Sequence, residues 1–280
     1  AREAHASVAQ ARAPTSSRRL AYGRESLNTG LVIEQAVEAL SDRNRILVFT
    51  GAGISTESGL PDYRGPQGLW KRFDPDDYTY SRYVSDPDFR IDTWGKRFHS
   101  PYLDAKPNDA HRAVVQLQHM GRLIGVVTQN IDGLHATPGL GPDSLVELHG
   151  NARRIQCISC GDEPPFSDVE HRWESGAVDP ECLECGGILK TRVVYFGEQL
   201  PPDATIRAWD MAEHADAVLV VGSTLSVYPA AFIPLEVTDR GQPMVIVNRG
   251  PTDHDARATA LVDGDAGTVL PQLANLLAQD

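Results

Sequence analysis

The sequence predicts an α/β protein built on a doubly wound parallel (Rossmann-like) sheet, and three observations carry that reading. Short apolar segments rich in Val, Ile and Leu recur at 45–50, 123–128, 145–148, 217–221 and 244–247, each of the length expected for a strand buried on both faces. Helical or loop segments alternate with them, as the crossovers of a parallel sheet require. Gly, Ser, Thr and Asn gather directly after several of these strands, at the carboxyl edge where open α/β sheets bind ligands.

Taken in order, Leu31, Ile33, Ala36, Val37 and Leu40 give a helical stripe, with Thr29 at the N-cap. The first strand then runs into Gly51-Ala52-Gly53-Ile54-Ser55-Thr56. Gly51 and Gly53 would let backbone N–H groups approach a diphosphate at a helix N-terminus; Thr56 replaces a third glycine, and a plain strand-turn-helix corner reads the same way. Asp62, Tyr63 and Arg64 follow in a polar stretch that resembles a loop closing over a ligand. Residues 66–105 carry Phe73, Tyr78, Tyr80, Tyr83, Phe89, Trp94 and Phe98 without a dominant period, so a small helical insertion with a local aromatic core is expected. A helix over 108–119, capped by Asn108 or Asp109, precedes the second strand.

Residues 151–190 interrupt the alternation. Cys157-x-x-Cys160, 21 intervening residues and Cys182-x-x-Cys185 give two chelating knuckles whose four thiolates would close a tetrahedral shell around one structural Zn2+. A zinc-ribbon insertion is the expectation, and two disulfides are the alternative that a reducing compartment disfavours. The net charge of −12 argues against nucleic acid and favours a cationic protein partner. No apolar run is long enough to cross a bilayer as a helix. Residues 1–28, rich in Ala, Ser and Arg with only Glu3 and Glu25 as acids, read as a disordered tail in a cytoplasmic protein, or as part of a mitochondrial transit peptide.

Three further groups end strands: Gln129-Asn130-Ile131-Asp132, Gly222-Ser223-Thr224 and Asn248-Arg249-Gly250. Their hydroxyl and amide side chains suit ribose and diphosphate oxygens, and ordinary turn chemistry uses the same residues. His149 also follows a strand, where an imidazole serves either structure or proton transfer.

The runs Gly-Ala-Gly-Ile-Ser through Pro-Asp-Tyr-Arg-Gly (51–65), Thr128-Gln129-Asn130-Ile131-Asp132-Gly133-Leu134-His135, Glu147-Leu148-His149-Gly150, the Cys pairs, Tyr195-Phe196-Gly197-Glu198, Val221-Gly222-Ser223-Thr224 and Val247-Asn248-Arg249-Gly250 together resemble the sirtuin family of NAD-dependent protein deacylases. The resemblance spans residues 31–270 and is greatest to class II. It implies a catalytic domain at 29–280, with its NAD-binding core at 29–65, 106–150 and 191–280, a helical insertion at 66–105 and a zinc insertion at 151–190.

By the same resemblance, His149 is the general base, and Asn130 and Asp132 act at the nicotinamide end of the co-substrate NAD, Asp132 in the carboxamide pocket. Gly51, Ala52, Gly53, Asp62, Tyr63, Arg64, Gln129, Ile131, Gly222, Ser223, Thr224, Asn248, Arg249, Gly250 and Ala266 complete the NAD contacts, Gln129 near the ribose and Ala266 near the adenine. Val194, Phe196, Gly197 and Glu198 form one edge, and Ser226 and Val227 the other, of a groove that holds an acyl-lysine peptide by strand addition. The implied reaction yields nicotinamide, O-acyl-ADP-ribose and free lysine. Mono-ADP-ribosylation of a protein is the rival use of the same site, and a non-enzymatic zinc-ribbon or NAD-binding module is the rival of a different class. Class III members present Tyr-x-x-Arg to acidic acyl groups, and no Tyr here has Arg three residues later. Neutral acyl groups are therefore expected, with Arg72, Arg82, Arg90 and Arg97 as the remaining sources of a cation in the insertion.

Overall fold

The computed structural model describes residues 29–65, 68–71, 74, 77–136 and 139–279. The tail at 1–28, Arg72 and Phe73 lie outside them. Six strands form one parallel sheet in the order β3-β2-β1-β6-β7-β8: β1 (Ile46–Thr50), β2 (Leu123–Thr128), β3 (Leu145–Glu147), β6 (Ala217–Val221), β7 (Met244–Asn248) and β8 (Ala260–Asp263). The five strands expected from sequence are all present; β8 is an addition at the edge. Strand order reverses between β1 and β6, so the crevice outside their carboxyl ends is the switch point where such sheets take ligands.

The sheet is covered on both faces, which is why its strands read as unbroken apolar runs. On one face, α1 (Thr29–Leu40), α4 (Asp109–His119) and α8 (Ala266–Leu277) bury Ile33, Leu40, Val114, Leu117, Leu270 and Leu273 against Val48, Val126 and Leu219. On the other, α6 (Pro202–His214) and α7 (Phe232–Asp239) bury Ala208, Met211, Ile233 and Val237 against Phe49, Val127 and Val220. Asn108 caps α4, its side chain accepting from the amides of Ala110 and His111. Thr29 lies within the first turn of α1 rather than ahead of it, as the expected N-cap.

The helical insertion contains α2 (Tyr80–Ser85) and α3 (Pro87–Phe98), and the cysteine-bearing insertion contains α5 (Phe166–Glu174) between the antiparallel strands β4 (Gly150–Cys157) and β5 (Leu189–Val193). The expected local aromatic core is only part of what forms. Trp94 and Phe98 of α3 pack with Ile155, Cys157, Val169, Cys182 and Leu189, so the two insertions share one core. Tyr83 reinforces it by donating to the Leu189 carbonyl at 2.8 Å, and Arg90 pairs with Asp179 at 2.9 Å. Among the described residues no helix is long and apolar enough to cross a membrane.

Candidate active site

Three glycines lock the switch point together. The Gly51 amide donates to Val221 O at 3.0 Å, and the Gly53 amide to Gly222 O at 2.9 Å. A Cβ at Gly51 would come 2.7 Å from Gly222 O and one at Gly53 2.5 Å from Gly222 Cα. Gly222 itself has φ +61°, and a Cβ there would lie 2.4 Å from Ile54 N. The glycines thus let the loops after β1 and β6 lie backbone to backbone. The two amides are thus taken up by Val221 O and Gly222 O, while Gly51 and Gly53 themselves line the cleft. The loop continues as a 3-10 helix, Ala52–Ser58, and Gly59 ends it at φ 82°.

Behind this loop lies a buried polar floor. Asn130 Nδ2 donates to Gly51 O at 3.0 Å and to Ser55 Oγ at 3.2 Å, and Ser55 Oγ donates to Asp132 Oδ2 at 2.7 Å. Asp132 Oδ1 accepts from the Leu134 amide at 2.9 Å. Burial pushes the Asp132 carboxyl above its ordinary range, while the Leu134 and Ser55 bonds pull the other way. Ser55 joins Asn130 to Asp132, yet reading the sequence assigned it no role; its place in the glycine loop was the available signal. Deeper still, Thr50 Oγ1 donates to Thr128 Oγ1 at 2.8 Å and meets His135 Nε2 at 3.0 Å. The His135 ring packs 4.8 Å from that of His111.

His149 stands just beyond β3. Its Nδ1 lies 2.9 Å from Gln129 O, and Gln129 Nε2 in turn donates to Ser223 Oγ at 2.8 Å. One chain of bonds therefore ties the residues following β2, β3 and β6. Ser223 Oγ also accepts from the Leu225 amide at 3.2 Å, and Thr224 Oγ1 is 2.7 Å from Ser226 Oγ. Farther along, Asn248 Nδ2 donates to Arg249 O and Gly250 O at 3.2 and 3.0 Å, Arg249 pairs with Asp265, and Ala266 opens α8. In the loop after the 3-10 helix, Asp62 Oδ1 accepts from the Gly65 amide at 2.9 Å and the Tyr63 hydroxyl is 3.4 Å from that of Tyr102. Gly51, Ala52, Gly53, Asp62, Tyr63, Arg64, Asn130, Ile131, His149, Asn248 and Ala266 all line one cleft with Val194, Phe196, Gly197, Glu198 and Val227. Asp132 lies beneath its floor, 3% exposed.

Two substrate-edge expectations change. The Phe196 amide donates to Tyr78 O at 3.1 Å and its carbonyl accepts from the Tyr80 amide at 2.9 Å, so the helical insertion already pairs this residue's main chain. What Phe196 offers the cleft is its 44%-exposed side chain. The Glu198 carboxylate accepts from Lys190 Nζ and the Tyr195 amide, each at 2.9 Å, which holds the turn at Gly197 in place. Nothing in the sequence pattern had marked Lys190.

The four cysteine sulfurs lie within 4.8 Å of one another, Cys157 to Cys185 at 3.5 Å and Cys160 to Cys182 at 3.7 Å. Those separations are near the ~3.8 Å edge of a tetrahedral zinc–thiolate shell and well beyond a disulfide bond of about 2 Å. Each knuckle closes the same way. The amides of Gly161 and Gly186, both at positive φ, donate to Cys157 O and Cys182 O at 3.0 and 2.9 Å. The group fits one structural Zn2+.

The Sir2 family model matches residues 51–229. The chain belongs to the Sir2 family. Among its relatives, NAD-dependent protein deacetylase 2 of Streptomyces coelicolor is 43% identical over 81% of this chain and 95% of its own length. NAD-dependent protein deacetylase of Caldivirga maquilingensis is 42% identical over 86% of this chain and 92% of its own. A solved Sir2 structure described with a p53 peptide and NAD+ superposes with a TM-score of 0.77 at 32% identity, covering 89% of this chain and 99% of that one. The Sir2 assignment embraces both insertions, since the matched span runs through the helices and all four cysteines.

Proposed function

We propose that this cleft removes acyl groups from protein lysine in an NAD-dependent reaction, giving nicotinamide, O-acyl-ADP-ribose and free lysine. The observation that carries the reading is the bond from His149 Nδ1 to Gln129 O. A carbonyl oxygen only accepts, so Nδ1 carries the proton and Nε2 keeps a lone pair for the cleft. That is the tautomer a general base needs. The relatives' names, NAD-dependent protein deacetylase, and the peptide and NAD+ of the solved relative support the same conclusion.

NAD, when bound, supplies the ribose carbon that nicotinamide leaves. In our reading Asn130, Ser55 and Asp132 hold the nicotinamide end, Gln129 and Ser223 orient the ribose, and Gly222, Thr224, Asn248, Arg249, Gly250 and Ala266 hold the rest of the dinucleotide. Asp62, Tyr63 and Arg64 close over it. Val194 and Phe196 wall the acyl chain, and Gly197, Ser226 and Val227 flank the peptide. His149 Nε2 removes the proton of a ribose hydroxyl so that the oxygen can attack the acyl carbon, a role worth typically 10²–10⁴ in rate. The four cysteines hold zinc away from this chemistry, because a closed thiolate shell has no position for water. A thiolate shell suits a reducing compartment, and we place the protein in the cytoplasm. The test is nicotinamide release: it should require both NAD and an acylated lysine peptide, and release at equal rate with the unacylated peptide would refute the reading.

A further inference from the structure

An arginine that enters none of the steps above joins the floor of the cleft to the helical insertion. β4 pairs with β5 at Gly150 and Asn151 and again from Ile155 onward, with a shift of register between them. Ala152, Arg153 and Arg154 therefore bulge out of the ladder, and a bulge beside a site re-aims the groups it carries. Here it aims them at the turn that holds Asp132. The Ala152 amide donates to Ile131 O at 2.8 Å, and Arg153 Nε donates to Asp132 O at 3.2 Å. Gly133 follows at φ +70°, so Asp132 leads into a turn whose carbonyls are held from β4.

The same guanidinium reaches the other way. Arg153 Nη2 donates to Tyr102 O at 2.6 Å, and Tyr102 lies in the 3-10 turn Pro101–Leu103, where the helical insertion returns to the core. Tyr102 lines the cleft, and its hydroxyl meets that of Tyr63. Nε and Nη2 belong to one rigid planar fork, so the two carbonyls they bind are held at a fixed relative position, which a flexible ammonium would not do. Burial raises the Asp132 carboxyl, and the Arg153 charge acts against that rise.

Resting on the deacylase reading above, we propose that Arg153 is a positioning residue for the nicotinamide pocket: it sets the pose of Asp132 relative to Tyr102, and through it the affinity for the nicotinamide end of NAD and for released nicotinamide. The peptide groove, which lies along Val194, Phe196 and Val227, is left untouched by this strut.

The experiment measures kcat, KM for NAD, KM for an acetyl-lysine peptide and the inhibition constant of nicotinamide in the full-length enzyme. Arg153→Met should raise KM for NAD and the nicotinamide constant together, each about fivefold, with peptide KM unchanged. Arg153→Lys keeps the charge but loses the fork, and should give a smaller shift in the same two constants. Arg154→Met removes the same charge from the same bulge, where it acts on Glu147 instead, and should leave all four values as they are. Calorimetric titration with NAD, which needs no turnover, should rank the variants in the same order. Should Arg153→Met fail to fold, Arg153→Lys is read by the same constants. Unmoved NAD and nicotinamide constants in a variant that is merely less stable to urea, or equal shifts from Arg154→Met, overturn the positioning role alone. A wild type that turns over no acyl peptide would instead count against the deacylase reading, and the calorimetric ranking would still decide the role of Arg153.

Discussion

His149 Nδ1 lies 2.9 Å from the main-chain oxygen of Gln129, and this one bond fixes both the tautomer and the aim of the imidazole. Burial lowers the His149 pKa below 6.5, with the Gln129 bond opposing it. The neutral ring is the base, so kcat/KM should rise with pH through a value below 6.5 and stay flat above it until another group titrates. His149→Ala should bind NAD and lose about 10²–10⁴ in deacylation rate. A pH profile whose acidic limb sits above 6.5, or an active alanine variant, would contradict the assignment.

The Lys190–Glu198 pair anchors the turn that carries Gly197. Lys190 is the more buried partner, with 7% of its side chain exposed against 22% for Glu198. Glu198→Gln leaves the buried ammonium without its counter-charge, which should cost about 3 kcal/mol of stability. Replacing both, as Lys190→Met with Glu198→Leu, should recover part of it. Urea unfolding of the two variants measures the difference, and equal stability of single variant and wild type would show that the pair is not needed.

Zinc holds more than its own knuckles, because Cys157 and Cys182 share a core with Trp94 and Phe98 of α3. Cys160→Ser should abolish bound zinc and loosen the helical insertion with it. Elemental analysis should find one zinc per folded wild-type chain, and hydrogen exchange should rise in both insertions of the variant. Loss confined to residues 151–190 would mean the shared core is too weak to couple them.

The buried pair His111 and His135 makes stability depend on pH. Burial lowers both, His111 to about 4 and His135 also well below its usual value. Above pH 6.5 both rings are neutral whether folded or unfolded. Between 6.5 and about 4 the unfolded chain takes up protons that the folded chain refuses, so stability falls as pH falls. The slope is at most about 1.4 kcal/mol per pH unit for each ring. Urea midpoints across this window should be steeper for wild type than for His135→Gln, and equal slopes would count against the pair.

Much of this was legible beforehand because the signals are local. A strand buried on both faces must be apolar throughout, and each chelating cysteine pair is only four residues long, so β1, β2, β6 and β7 and the zinc group read directly. What escaped depends on distant partners. That Gly51 and Gly53 also make room for Gly222 shows only once the fold sets it against them. Lys190 gains meaning only beside Glu198, and α3 packs on the cysteine insertion through side chains more than fifty residues apart in the chain. Of the four arginines singled out in the insertion, ion pairs take Arg82 and Arg90, Arg72 lies outside the described residues, and Arg97 lines the cleft beside Tyr195.

The most direct test of the central claim is mass spectrometry of the products formed from NAD and an acetyl-lysine peptide. The account predicts free lysine peptide, nicotinamide and O-acetyl-ADP-ribose in equal amounts, with acetyl-ADP-ribose absent when His149→Ala replaces wild type. Peptide that keeps its acetyl group while ADP-ribose appears on protein would show that the cleft passes ribose to a protein nucleophile, and would contradict the account.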